Sequence, residues 1–243
     1  MIILGINAYH GDASAAIVVD GRLVAAAEEE RFNRIKHSAG LPKEAIRYCL
    51  REAGVSMAGV DYVAIPREPR ARLLRKIYYG IKIPRLLLRR LSALRLSANI
   101  KNELARIFGL EQKKIKANFI NVEHHRAHIA SSFFISGFDK ALLLSADGLG
   151  DFASTMWGIG EGNKIDILGS ISFPHSLGMY YTAITQYLGF LNYGDEYKVM
   201  GLASYGKPAY QEEFKKIVSI SGGVGFNMNL DYFQHHKKLE EMN

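Results

Sequence analysis

One pattern of strands occurs twice in the 243-residue sequence, and it constrains the fold more than any other feature. Each copy predicts a strand, a turn rich in glycine, aspartate and small residues, a second strand, a tight turn and a third strand. The copies occupy residues 1–31 and 139–173. Segments with helical periodicity follow each copy, so we predict an α/β fold built from two related halves with a cleft between them.

The first turn of each copy is a candidate binding site. Free backbone N–H groups in such turns suit phosphate, whereas carboxylates suit a metal ion or a hydroxyl group that must lose its proton. The residues concerned are His10, Gly11, Asp12 and Ser14 in the first copy and Asp147, Gly148, Gly150 and Asp151 in the second.

A short buried strand runs directly into a helix at residues 119–134. His124 and His128 are four residues apart, so both side chains lie on one face of the predicted helix. His125 falls between this face and the core side. We expect the core side to be covered by Ala127, Ala130, Phe133 and Phe134.

With Asp147 at the end of the next strand, His124 and His128 supply three protein ligands for a metal ion that keeps open coordination positions. The alternative is a pair of histidines satisfied by ordinary hydrogen bonds on a half-buried helix. A zinc protease of the HExxH type is disfavoured, because His125 stands where the general-base glutamate would be.

Composition limits the class of protein. Hydrophobic residues make up 48% of the chain and charged residues 23%, which is typical of a soluble globular protein. The single cysteine, Cys49, excludes an internal disulfide and lies on the apolar side of a helix predicted over residues 41–53, so we expect it to be buried. The apolar start is too short for a signal peptide and no run reaches the length of a membrane span, so we expect a cytoplasmic protein.

Positive charge is concentrated in one segment. From Arg67 to Lys116 there are fifteen lysines and arginines against three glutamates, a balance of +12 in a chain whose net charge is +7. Alternating basic and aliphatic residues fit binding to a membrane surface, a nucleic acid or another anionic partner. The alternative, which we favour, is a peripheral helical insertion over residues 66–116 that packs its leucines and leaves its arginines in solvent.

A later segment, residues 192–203, is predicted as a loop at the site or as an ordinary solvated turn. Gly194 and Gly201 flank the charged residues of this segment. These residues are Gly194, Asp195, Glu196, Lys198 and Gly201.

Six short stretches carry a more specific signal. They are GDASAA (residues 11–16), AEEERF (27–32), HHRAH (124–128), DG (147–148), FPHSLG (173–178) and GDEYKVMGLA (194–203). In this order they resemble the family of nodulation proteins and antibiotic O-carbamoyltransferases. The amino-terminal part of that family is similar to the fold of acetate and sugar kinases, heat-shock chaperones and actin, and to the tRNA threonylcarbamoyl-transferring enzymes.

The resemblance implies a duplicated actin/sugar-kinase-like (ribonuclease H-like) fold with an incomplete second half and a basic helical insertion. The first lobe would comprise residues 1–118 and the start of the second lobe residues 119–243. Family members make a carbamoyl-adenylate from carbamoyl phosphate and ATP in a carboxy-terminal domain, and the fold represented here moves the carbamoyl group onto a hydroxyl of a small molecule or saccharide.

Site residues follow from the same resemblance. A divalent metal, iron in the family, is held at the positions of His124, His128 and Asp147, and a further family ligand lies later than Asn243. Many members have adjacent His and Asp where this sequence has His10-Gly11-Asp12. The residues expected to bind the ATP or carbamoyl-adenylate phosphates are Gly11, Ser14, Gly148, Gly150 and Lys198.

We therefore expect an O-carbamoyltransferase in which the metal polarises the carbamoyl group and His10 or Asp12 accepts the hydroxyl proton. We expect the fragment alone to be inactive, with no membrane or nucleic-acid partner, and a homodimer is left open. The competing hypothesis is a non-catalytic nucleotide-binding module, since an actin-like fold also supports chaperones and scaffolds. The histidine pair discriminates between the two, because a nucleotide clamp does not need it.

Overall fold

The computed structural model describes residues 1–83 and 99–237, which divide into two compact units. The first unit contains Met1–Pro69 and residues 99–122, and the second contains residues 70–83 and 123–237. The strands are β1 (Ile2–Asn7), β2 (Ser14–Val19), β3 (Arg22–Glu28), β4 (Tyr62–Ile65), β5 (Asn118–Asn121), β6 (Lys140–Gly150), β7 (Ala153–Glu161), β8 (Lys164–Ser172), β9 (Val218–Ser221) and β10 (Gly225–Met228). The helices are α1 (Glu30–Asn33), α2 (Lys43–Glu52), α3 (Leu73–Lys82), α4 (Ile100–Ile107), α5 (His124–Phe133), α6 (Leu177–Tyr187), α7 (Glu196–Ala203) and α8 (Gln211–Ile217).

Strands and helices alternate in both units, so the predicted mixed α/β class is confirmed. The division into lobes at residues 1–118 and 119–243 stays a prediction, because proximity of residues does not show which parts fold independently. Duplication of an actin-like fold also stays a prediction at this point.

The first unit is built on a five-stranded sheet with the order β3-β2-β1-β4-β5. β1, β2 and β3 are antiparallel, whereas β4 runs parallel to β1 and β5 runs parallel to β4. The predicted first meander is therefore confirmed. Alternate side chains enter the core, so Leu4, Ile6 and Ile17 are fully buried, as expected for a strand covered on one face.

Helix α2 covers β2 and β3 with the apolar face that its periodicity predicts. Its buried residues are Ala45, Ile46, Cys49 and Leu50. The Cys49 thiol contacts the carbonyl oxygen of Ala15 at 3.4 Å. Burial raises the pKa of Cys49 to about 11, so the thiol stays protonated at neutral pH and serves as a core residue.

The first turn of α2 is capped by a side chain from outside the helix. Glu29 is 4% exposed, and its Oε2 accepts the backbone N–H groups of Glu44 at 3.0 Å and Ala45 at 2.9 Å. These groups have no partner within a helix, and a carboxylate at a helix N-terminus is electrostatically favourable. Glu29 therefore ties the end of β3 to α2.

The second unit contains an antiparallel sheet with the order β6-β7-β8, which confirms the second predicted meander. Helices α5 and α6 pack on β6, and a separate hairpin joins β9 to β10. The buried apolar residues of this sheet-and-helix core are Ile129, Phe133, Leu143 and Met156.

The turn predicted at residues 147–151 is wrong, because β6 continues to Gly150. Its pairing with β7 becomes irregular between Ala146 and Gly150, and the reversal is made by Asp151 and Phe152 alone, with φ of 48° and 68°. A bulged strand carries extra residues without leaving the sheet, which a glycine-rich sequence does not distinguish from a turn.

The loop predicted at residues 192–203 is also wrong for its second part, which forms α7. Asp195 pairs with Lys198 at 2.6 Å, and this i,i+3 spacing supports a first helical turn. Gly201 lies inside the helix without ending it.

The basic segment is described only in part. Residues 84–98, which include the most arginine-rich run, lie outside the described residues. α3 belongs to the second unit and α4 to the first, and a single insertion over residues 66–116 stays a prediction. Among the described helices, none is long and apolar enough to cross a membrane.

We predict that Glu29→Ala lowers the free energy of unfolding by about 2–3 kcal/mol, because the buried N–H group of Ala45 and the partly buried N–H group of Glu44 lose a charged acceptor. Urea unfolding followed by circular dichroism measures the change. Glu28→Ala is the matched control, since the exposed Glu28 side chain pairs with Arg31 at 3.2 Å at the surface and its loss should cost less than about 1 kcal/mol. Equal losses in the two variants would contradict the capping role.

Candidate metal centre

Three predicted ligands converge at the start of α5 and the end of β6. The Nε2 atom of His124 lies 2.8 Å from Oδ2 of Asp147, and Nε2 of His128 lies 3.5 Å from the same oxygen. The two Nε2 atoms are 3.0 Å apart. All three ligand atoms therefore face one point, as the helical spacing of the histidines predicts.

These distances fit a shared ion. Two atoms bound to one tetrahedral Zn²⁺-type ion at about 2.0–2.1 Å lie about 3.3–3.4 Å apart. At this distance one neutral imidazole can donate to the other, whereas a cation between the two Nε2 atoms would use both lone pairs. The donor set of two nitrogens and one oxygen suits zinc, iron or another first-row divalent metal.

Asp147 has the charge state that a ligand needs. Hydrogen bonds from the imidazoles of His124 and then His128 hold the pKa of this carboxyl well below its usual range. The backbone N–H of Gly148 also donates to Oδ1 of Asp147 at 2.6 Å. Asp147 is therefore ionised at neutral pH and is presented with one oxygen toward the histidines.

The ring of His124 is placed by a glycine. A Cβ atom built on Gly150 would lie 1.9 Å from Cδ2 and 2.2 Å from Cγ of His124, which no side chain can occupy. Gly150, predicted as a phosphate-binding residue, thus has a packing role beside the metal ligands. Phosphate binding by Gly150 and by Gly148 stays a prediction.

The same strand end is also held by the start of α6. The Ser176 hydroxyl contacts the carbonyl oxygens of Gly148 at 2.6 Å and Asp147 at 3.2 Å, and it accepts the N–H of Met179 at 3.1 Å. A Cβ on Gly178 would lie 2.5 Å from the backbone nitrogen of Gly148. These residues belong to the FPHSLG stretch, whose structural role the sequence did not indicate.

His125 is the main residue of the site that sequence reasoning misplaced. It is fully buried, with Nδ1 at 2.9 Å from the Ser145 hydroxyl and Nε2 at 3.0 Å from the carbonyl oxygen of Ala153. Burial lowers its pKa, so the neutral ring accepts from Ser145 and donates to Ala153. His125 fixes α5 against β6 and β7.

The buried face of α5 consequently differs from the predicted one. It comprises His125, Ile129 and Phe133, a strict i,i+4 row, and Phe134 is exposed. The expectation is confirmed for Phe133 and wrong for Phe134, whereas Ala127 and Ala130 are only half-buried. A histidine with two buried partners takes the place of an apolar side chain on this face. The i,i+4 spacing of His125 and Ile129 was the available signal.

The N-terminus of α5 is capped by the turn after β6. Oδ2 of Asp151 accepts the backbone N–H of His124 at 3.0 Å. The two aspartates of this region therefore differ in role, since Asp147 faces the imidazoles and Asp151 holds the helix that carries them.

The predicted residues of the first turn lie in the first unit. Oδ1 of Asp12 is 2.8 Å from Nδ1 of His37, and the backbone N–H of His37 donates to Oε2 of Glu30 at 3.1 Å. Nδ1 of His10 is 3.2 Å from the carbonyl oxygen of Gly11. The structure thus gives Asp12 an imidazole partner, His37, that lies 25 residues away and that sequence reasoning missed.

The remaining predicted phosphate ligands have backbone or local partners. Ser14 begins β2 and pairs with Asn7 and Glu28 in the sheet. Lys198 forms its ion pair with Asp195 inside the same helical turn. Their roles as phosphate ligands stay predictions.

The fold and the site define an α/β protein with a His-His-Asp candidate metal centre. A family model described as "Carbamoyltransferase N-terminus" matches residues 2–243. The chain belongs to this carbamoyltransferase amino-terminal family, as the resemblance predicted.

The chain is also similar to individual proteins along almost its whole length. An uncharacterized protein of Synechocystis sp. is 40% identical over 251 residues, which cover 99% of this chain and 41% of the relative. Nodulation protein NolNO of Sinorhizobium fredii is 37% identical over 229 residues, which cover 93% of this chain and 32% of that protein. The chain thus spans between about a third and two fifths of the length of these relatives.

Among solved structures, the ROK hexokinase of Thermus thermophilus is similar to this chain with a TM-score of 0.39 and 16% identity, over 87% of this chain and 72% of the hexokinase. A score of this size does not establish a shared fold.

We predict that Gly150→Ala weakens metal binding by at least about tenfold, because the new Cβ displaces the His124 ring from the ligand set. Co²⁺ titration followed by visible absorption measures the affinity. Gly148→Ala is the matched control on the same strand, since a Cβ there meets nothing within 4 Å. Unchanged Co²⁺ affinity in Gly150→Ala would show that His124 is not a ligand.

Proposed function

We propose that the chain is the amino-terminal part of a metal-dependent O-carbamoyltransferase. It would move a carbamoyl group from carbamoyl-adenylate, made from carbamoyl phosphate and ATP, to a hydroxyl of a small molecule or saccharide. Family membership supports the transferase class. The observation that carries the metal part is the convergence of His124, His128 and Asp147 on one point, with ligand atoms 2.8–3.5 Å apart.

In this proposal the residues of α5 and β6 bind and orient a divalent metal, with iron the family's choice. When bound, the metal supplies Lewis-acid polarisation of the carbamoyl carbonyl or of a phosphate oxygen. Asp147 contributes a full negative charge, and the buried His125 keeps the helix that carries the other two ligands in place.

Asp12 is the better supported of the two predicted proton acceptors. Its carboxylate is hydrogen-bonded to the His37 imidazole, which can hold the carboxylate in a fixed orientation while one of its oxygens takes the proton of the acceptor hydroxyl. Nδ1 of His10 lies 3.2 Å from the carbonyl oxygen of its neighbour Gly11, which is a local contact and not one between distant parts of the chain.

Phosphate binding by Gly11, Ser14, Gly148, Gly150 and Lys198 is part of the proposal. So is the duplicated actin-like fold, for which the two confirmed meanders are the support. The alternative function is a non-catalytic nucleotide-binding module, which would bind ATP without a metal at the three ligands and without transferring a carbamoyl group.

We predict that His124→Ala and Asp147→Asn each lose the bound metal and reduce carbamoyl transfer to background. Metal content is measured by atomic absorption after dialysis, and transfer is measured in the intact protein with labelled carbamoyl phosphate, ATP and a panel of hydroxyl acceptors. Ser131→Ala is the control on the same helix, because the exposed Ser131 hydroxyl donates to the carbonyl oxygen of His128 within that helix. Full metal content in both ligand variants would overturn the metal assignment, and ATP binding with no transfer by the wild type would favour the alternative.

We predict that Asp12→Asn lowers kcat by about 10²- to 10⁴-fold, because an amide cannot accept the hydroxyl proton. His10→Ala should change kcat by less than roughly tenfold, as expected for a side chain outside the proton transfer. The pH–rate profile of the intact protein measures both effects, and the acidic limb should disappear only in Asp12→Asn. The reverse pattern would assign the base to His10.

A further inference from the structure

Two basic residues at the start of α3, Arg72 immediately before the helix and Lys76 within it, lie inside the second unit, although we expected the basic segment to leave its arginines in solvent. Only 6% of the Lys76 side chain and 16% of the Arg72 side chain are exposed. Charged side chains are rarely buried without a partner, because desolvation is costly. Their partners therefore show what this part of the segment does.

Lys76 pairs with Asp151, the residue that caps the N-terminus of α5. Its Nζ lies 3.9 Å from Oδ1 of Asp151, and both side chains are nearly fully buried. The other carboxylate oxygen of Asp151 accepts the backbone N–H of His124. A buried carboxylate is retained in such a place when a cation compensates its charge, so Lys76 supports the cap on the first residue of α5.

Arg72 holds the adjoining residues. Its Nη1 pairs with the carboxylate of Glu123, the residue immediately before α5. The same guanidinium lies 3.4 Å from the carbonyl oxygen of Asp151 and donates to the Ser170 hydroxyl at 3.1 Å. A planar guanidinium with several fixed donors can join three elements at once, which a single ammonium group cannot.

We propose that Arg72 and Lys76 are positioning residues for the candidate metal centre. They fix Glu123 and Asp151, which together set where α5 begins and therefore where the His124 ring points. This inference rests on the proposed metal-dependent function. Because a metal site tolerates ligand displacements of only about 0.2 Å, a small movement of the first helical turn is enough to weaken it.

The test compares two lysines of α3. Lys76→Met removes the buried ammonium, whereas Lys82→Met removes the same charge from an exposed position on the same helix. Co²⁺ is the probe, and visible absorption gives its dissociation constant in the intact protein. We expect Co²⁺ to bind about tenfold more weakly to Lys76→Met and within about twofold of wild type to Lys82→Met. Equal affinity in Lys76→Met and wild type would overturn the inference.

A second readout separates this inference from the proposed function. In metal-free protein, hydrogen exchange of the His124 amide should be faster in Lys76→Met than in wild type, and an unchanged rate would overturn the positioning role. If wild type binds no Co²⁺, the metal-dependent function fails and the exchange rate alone decides on the positioning role.

Should Lys76→Met not fold, Arg72→Lys takes its place. This variant keeps the positive charge and removes the guanidinium contacts to Asp151 and Ser170. It should show the same weaker Co²⁺ binding, and wild-type affinity would count against the role of Arg72.

Discussion

The ring of His124 lies against the backbone of β6 at Gly150, so closely that even one methyl group would overlap it. At the same strand end, Gly178 approaches the backbone of Gly148 almost as closely, and the Ser176 hydroxyl contacts the two carbonyl oxygens there. The irregular end of β6 is thus packed against the first turns of two helices. A backbone held by two helices has little freedom to shift, which is what a preorganised ligand set requires.

Three carboxylates lie near the start of α5, and their burial decides which of them can act as a metal ligand. Glu123 and Asp151 are 15% and 6% exposed and are engaged by Arg72 and Lys76. Asp147 is 40% exposed, and its partners are the imidazoles of His124 and His128. The same imidazole nitrogens would bind the metal together with Asp147. The charges of Glu123 and Asp151 are balanced by Arg72 and Lys76. The negative charge of Asp147 is therefore the one that would bind a metal ion.

Local patterns predicted what local geometry controls. Strand alternation indicated both meanders, and the four-residue spacing placed His124 and His128 on one helix face. Contacts distant in sequence were beyond reach, since the partner of His125 is 20 residues away and the ion pair of Lys76 joins residues 75 positions apart. A buried histidine and a buried lysine resemble surface residues until their partners are known, which is why the core face of α5 and the role of α3 were missed.

The three ligand side chains differ in solvent exposure, so one side of the candidate site is open to solvent and the other is covered. The His124 side chain is 16% exposed, whereas that of His128 is 51% exposed. An ion held by these residues would therefore be covered on the side of His124 and Gly150 and accessible on the side of His128 and Asp147. Three protein ligands leave at least one coordination position of a first-row metal for water or substrate. In the proposed reaction the carbamoyl donor would approach from the accessible side. The burial of His124 would then fix the metal, and the exposure of His128 would admit the substrate.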